Sequence, residues 1–300
     1  MMYQRVLAHG AMLLFSLFVS GAFVFGGMLS VSLDTTLLTL LRFLIASIVM
    51  AVVCCYKNFK FVNILNNYWQ WCIIGGLSVV YFICMFEALK LTTALSISAI
   101  FSLIPLFSAF LSFILMKEQQ NWFVITCILC GCCGVVLVVF DGDFTAMAQL
   151  RIGFGEFVFL IGAIGYSAVP VATKKLCGKS APIEAAIGSI FGACFVLLLI
   201  TLIKSILVPI VFKPNIAELF FIIYIGIFTT AVTFFLLQYS IKFISGARTL
   251  SFTYLVPVWV FGWSLFAERE APPLVWLGVC IISCAMLAMF FYRGDIVLKK

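Results

Sequence analysis

The chain has 300 residues, 65% of them apolar and only 10% charged, with a mean hydropathy of +1.26 and a formal net charge of +7. Soluble domains carry about a quarter charged residues, so this composition excludes a soluble globular protein and places the chain in lipid. Nucleic-acid binding is excluded too, because the 18 Lys and Arg residues are spread between apolar runs instead of forming one basic face.

In chain order, apolar runs near 9–30, 36–55, 69–89, 93–116, 122–140, 153–173, 183–203, 218–241, 248–267 and 273–292 are each long enough to cross a membrane. A hydrocarbon core is about 30 Å thick and a helix rises about 1.5 Å per residue. The expected fold class is therefore an all-α integral membrane protein with ten transmembrane helices. The first run has a leader-like start, with Arg5 before an apolar stretch and small residues at Ser20-Gly21-Ala22. It continues uncharged to Leu33, however, and is read as a span.

Cations near span ends are retained on the cytoplasmic face. With the N-terminus inside, 12 of the 18 cations fall in the cytoplasm: Arg5, Lys57, Lys60, Lys117, Lys174, Lys175, Lys179, Lys242, Arg248, Arg293, Lys299 and Lys300. Lys90, Arg151, Lys204, Lys213 and Arg269 fall outside, and Arg42 lies within a span. Both termini are expected to be cytoplasmic, in a multi-pass protein of the cell (inner) membrane.

The chain is also duplicated. Aligning Pro105 with Pro257, 152 residues apart, superimposes Lys90 on Lys242, Ala94 on Gly246 and Glu118 on Glu270. Five spans per copy is an odd number, so the copies enter the membrane in opposite orientations. Residues 1–140 form the first five-span repeat, 150–292 the second and inverted repeat, and 293–300 a cytoplasmic tail. Inverted repeats of this kind place a substrate near the midplane between the halves. Pro105 and Pro257 each remove a backbone donor in mid-span and are the hinge candidates. Eleven of the 12 cysteines lie in apolar runs, with Cys177 in a loop and His9 the only histidine. They are read as small packing residues, with no metal site and no cofactor.

These elements resemble the drug/metabolite transporter superfamily, and within it the EamA-like ten-span permeases. The resemblance rests on Leu41-Arg42-Phe43, Glu87-Ala-Leu-Lys90 with Thr93-Ala94, and Pro105 with Glu118. It returns in Ser245-Gly246-Ala247, Pro257, Glu270 and Gly278. Where the family has Gly-Glu before each repeat's last span, this chain reads Lys117-Glu118 and Arg269-Glu270, and the family's span-1 tryptophan is missing. The resemblance implies a carrier for a small organic metabolite such as an amino acid, an amino-acid derivative or an S-adenosylmethionine-like compound.

Charges inside a bilayer are expensive, so each deserves a role. Arg42, Glu87 and Glu156 all count to the outer third of their spans. Two readings stand for Arg42: a receptor for a substrate carboxylate, or an ion pair with Glu87 that locks the outer side. Glu87 and Glu156 are the coupling candidates. Among interior polar side chains, Tyr81, Ser98, Ser102, Tyr166, Gln238 and Tyr254 join Arg42 and Glu87 as substrate-binding candidates. Glu184 and Glu218 begin spans 7 and 8 and are read as helix caps. The expected partners are a small-molecule substrate and the lipid bilayer, with a homodimer left open. A competing reading is a membrane enzyme using the outer loop Asp141-Gly-Asp143, and another is a non-transporting scaffold. No catalytic residue is assigned.

Overall fold

A computed structural model describes residues 2–56, 68–119, 121–140, 153–207, 212–265, 273–292 and 297–298. The linker 141–152, with Asp141 and Asp143, and residues 266–272, with Glu268, Arg269 and Glu270, lie outside the described residues. So does most of the 293–300 tail.

The first repeat contains α1 (Met2–Ser32), α2 (Thr35–Tyr56), α3 (Tyr68–Leu89), α4 (Ala94–Phe101), α5 (Ile104–Met116) and α6 (Trp122–Val139). The second contains α7 (Phe154–Ser167), α8 (Val169–Cys177), α9 (Pro182–Leu207), α10 (Ile216–Gly226), α11 (Thr233–Phe243), α12 (Gly246–Ser251), α13 (Leu255–Leu265) and α14 (Pro273–Phe291). Span 4 is α4 with α5, span 6 is α7 with α8, span 8 is α10 with α11, and span 9 is α12 with α13. Among the described residues, nine helices meet the length and hydropathy of a membrane span. Span 9 is the tenth, interrupted by a 3₁₀ turn at Phe252–Tyr254. A two-residue antiparallel pair, β1 (Glu118–Gln119) with β2 (Val297–Leu298), is the only strand pairing among the described residues.

The helices are apolar all round because lipid is their solvent, and Phe110, Phe113, Leu202 and Ile206 are exposed outward. Packing follows the duplication. Span 1 lies against spans 8 and 9, as span 6 lies against spans 3 and 4; span 3 meets span 7, as span 8 meets span 2. Spans 5 and 10 pack on each other. Each helix of one copy thus finds its mate's neighbour in the other copy.

The prolines act where the repeat places them. Pro105 begins α5 after a break at Ser102–Leu103, and Pro257 follows the 3₁₀ turn in span 9. Pro170 marks a further break at Ala168 in span 6, which span 1 does not share.

Small residues set the closest contact between the halves. A Cβ on Gly75 would lie 2.2 Å from the Ala193 backbone nitrogen, and one on Gly192 would lie 2.3 Å from the Trp71 carbonyl oxygen. Gly188 and Gly192 therefore form a real seam with span 3. Trp259 and Trp263 of span 9 donate their indole N–H groups to Ser16 and Ser20 of span 1, both at 3.1 Å. The expected caps are present. Asn215 and Glu218 form a reciprocal capping box at 2.8 Å each way, and Glu184 accepts from the Ala181 N–H at 2.9 Å.

Candidate substrate-binding site

Span 2 starts at Asp34, whose Oδ1 accepts from the N–H groups of Thr36 and Leu37, and runs inward to Arg42. Arg42 is fully buried. Its Nε donates to Thr230 Oγ1 at 2.8 Å, and one terminal nitrogen donates to Thr229 O and Oγ1, both at 3.0 Å. The other terminal nitrogen, Nη1, has no partner. The guanidinium carbon sits 4.0 Å from the Phe82 ring centroid and 5.6 Å from that of Phe86. No carboxylate among the described residues pairs with it.

The acceptors exist because span 8 changes its winding. Ile227–Val232 is π-helix. The wider turn leaves Thr229 O open to Arg42, while the Thr229 and Thr230 hydroxyls both donate to Ile225 O at 2.9 Å. Thr229 and Thr230 lie near the midpoint of the Ile216–Phe243 span, so the guanidinium reaches mid-membrane.

A cavity of about 10 Å³, room for about one water, lies beside this group. Arg42, Tyr81, Phe82, Tyr166, Thr229 and Thr233 line it, so both repeats contribute. Around it the rings of Tyr81 and Tyr166 are 4.5 Å apart, with Phe101 and Phe159 each 5.7 Å from Tyr81. The site is an aromatic chamber around one buried cation that no carboxylate among the described residues balances.

The EamA-like transporter family model matches residues 6–140 and again 153–292. The chain belongs to the EamA-like transporter family. It is 23% identical over 219 residues to the uncharacterized transporter YyaM of Bacillus subtilis (strain 168), covering 72% of each chain. It also superposes on a solved crystal structure with TM-score 0.76 at 18% identity, over 96% of this chain and 98% of the other, a likeness of fold.

In this EamA-like protein Glu87 and Glu156 have their own partners. Glu87 pairs with Lys90 at 3.2 Å and accepts from the Thr35 hydroxyl. The expected Arg42–Glu87 ion pair is therefore not formed. Arg42 is drawn away by the Thr229 and Thr230 oxygens, and the half-exposed Glu87 side chain is satisfied near the surface. Glu156 accepts from Thr92 and from Ser96 Oγ at 2.8 Å, tying span 6 to the start of span 4. Asp34 joins Lys204 of span 7 at 2.6 Å on the same face. Burial pushes the Asp34 carboxyl up, but the Lys204 ammonium and the two backbone N–H groups outweigh it and hold the group below its ordinary value. Arg42, Glu87 and Glu156 do not form one cluster.

Of the other sequence candidates, Tyr81 and Tyr166 line the chamber. Gln238 lies further along span 8, toward Lys242, donating weakly to Ser189 Oγ at 3.3 Å and Thr173 Oγ1 at 3.4 Å, with its Oε1 unpartnered. Tyr254 is a correction: its ring fills the space over Gly131, and its hydroxyl donates to Ile128 O at 3.1 Å, so it ties span 9 to span 5 and lines neither described cavity. Ser98 and Ser102 are buried in span 4 but line neither cavity, and the Ser102 hydroxyl is used by Ala99 O at the helix break. The sequence does not single out Phe82, and it places Thr229, Thr230 and Thr233 among the interior polar side chains without marking them as binding candidates, although Thr229 and Thr233 stand one turn apart, at i and i+4, on one face of span 8.

Proposed function

We propose that this protein is a secondary carrier for a small organic metabolite bearing a carboxylate, such as an amino acid, an amino-acid derivative or an S-adenosylmethionine-like compound. It works by alternating access between its inverted repeats, in the cell (inner) membrane with both termini cytoplasmic. One observation carries the reading: Arg42 is a fully buried cation with an unused Nη1 and no anionic partner among the described residues. Burying a lone charge is costly, and a bound carboxylate would both balance it and accept from the free nitrogen. As a mere brace between spans 2 and 8, Arg42 would need neither a cavity nor a spare donor.

The chamber is too small for any metabolite as it stands, so this is a closed state that must open. Pro105 and Pro257 provide the paired bends about which the halves rock, and Glu87 and Glu156 are the carboxylates whose protonation would couple to it. The transporter reading needs no catalytic residue.

The test is thermal stabilisation of purified protein by a panel of carboxylates and their matching decarboxylated amines. A ligand that prefers the folded state stabilises it by about 2.7 kcal/mol at a hundred times its Kd. At least one carboxylate should stabilise the wild type while its amine does not. Arg42→Lys should weaken that ligand at least about tenfold, since an ammonium cannot reproduce the guanidinium fork. Equal stabilisation of wild type and Arg42→Gln by that carboxylate would reject the proposal.

A further inference from the structure

A second and larger cavity, of about 130 Å³, lies on the face opposite Asp34 and Lys204. It holds space for several waters. Its walls include Thr173, Lys174 and Cys177 from span 6, Ser180 from the loop that follows, and Gln238 and Lys242 from span 8. Lys242 Nζ points toward Ser180 O at 3.5 Å, too weak a contact to neutralise it. Lys174 stands 3.9 Å from Glu118, which offsets part of its charge from behind, and Glu118 Oε2 has no partner. The wall is therefore net positive.

This cavity is in line with the chamber. Span 8 supplies Thr229 and Thr233 to the chamber, then Gln238 and Lys242 to the second cavity. The step from Thr233 to Gln238 is about 8 Å of helix. Span 6 does the same with Tyr166 above its break at Ala168 and Thr173 and Lys174 below it. Gln238 sits between the two levels, 2% exposed and with one end of its amide unsatisfied, which is a place for a passing donor or a water.

We propose that this vestibule is a second anion-binding subsite, in which Lys242 and Lys174 hold a small carboxylate or sulfonate between the aqueous face and Arg42. It rests on the carrier reading only for its direction of travel; its charge selectivity stands alone.

The test uses the native Cys177 in the cavity wall as a reporter. Purified protein in neutral detergent is treated with a sulfonate-bearing or a trimethylammonium-bearing methanethiosulfonate, and modification of the Cys177 peptide is followed by mass spectrometry. The anionic reagent should react about tenfold faster than the cationic one at low salt, as expected where one sign of charge lines a cleft. The preference should collapse in 1 M salt, where screening acts over about 3 Å. Lys242→Gln should reduce it several-fold, and Lys242→Glu should reverse it. Arg42→Gln should leave it unchanged, so a failure of the chamber reading and a failure of this one are distinguishable. Ser180→Cys gives a second and more open reporter that must show the same pattern. Equal rates for both reagents at Cys177 and at Ser180→Cys, or a preference indifferent to Lys242, would overturn the proposal.

Discussion

Thr93 and Ser245, 152 residues apart, cap their helices in the same way: each side-chain oxygen accepts from the backbone N–H three residues on, at 3.2 and 3.3 Å. One cap begins span 4 and the other span 9, and each is followed by a break and a proline. The duplication therefore survives at the level of single hydrogen bonds, although few side chains are identical between the copies.

Lys117 stands where the family has glycine, and the backbone there is left-handed, with φ 55°. A side chain in this region costs about 1–2 kcal/mol, part of which glycine would return as unfolded-state freedom. Lys117→Gly should stabilise the protein by about 0.5–1 kcal/mol, read as a higher Tm in detergent. A lower Tm would mean that the lysine side chain holds more than its backbone strain releases.

Neighbouring glycines in span 3 should behave oppositely. Gly75 faces the span 7 backbone at a distance that no Cβ tolerates, while Gly76 has nothing within 4 Å. Gly75→Ala should lower stability by about 1–3 kcal/mol by forcing the two halves apart. Gly76→Ala should be neutral or slightly stabilising. Thermal melts of the two variants side by side decide it.

The Asp34–Lys204 pair joins span 2 to span 7 across the repeats. Because the folded carboxyl is held below its ordinary value, its contribution is fully present above the unfolded pKa of about 3.9 and is lost as pH falls through the lower folded value. Asp34→Asn keeps an acceptor for the helix cap and removes only the charge. It should destabilise by about 0.5 kcal/mol at neutral pH, since both side chains are partly exposed. Below about pH 4 the difference from wild type should shrink, which a pH series of melting curves would show.

Thr230→Val keeps the shape of the π segment but removes the acceptor for Arg42 Nε. A hydrogen bond to a charged group contributes about 1.5–3 kcal/mol. Affinity for any ligand that depends on Arg42 should fall at least about tenfold, measured by the same thermal-shift titration. Thr233→Val, whose hydroxyl serves only span 8's own carbonyls, should change it much less.

The ten-span reading was legible because apolar composition alone marks a helix in lipid, and the repeat because Pro105 and Pro257 keep their spacing. Arg42 stood out as an intramembrane charge, but its partners did not. Opposite charge pointed to Glu87, whereas the π turn exposes Thr229 O, and no local residue pattern announces that change of winding. Tyr254 matched Ser102 by repeat position, yet Gly131 opens a slot that takes its ring to span 5. The Phe82 and Phe101 walls were hidden among 33 phenylalanines, because spans that are apolar on every side give no sign of which rings face inward.

The π turn in span 8 has no equivalent in its mate, since span 3 is unbroken α-helix from Tyr68 to Leu89. Two identical inverted copies would make a carrier with degenerate ground states, as content facing one side as the other. The extra residue wound into Ile227–Val232, with the Ala168 break that span 1 lacks, lifts that degeneracy. In the proposed rocking cycle the protein thus has a resting direction written into its backbone before any substrate or ion arrives.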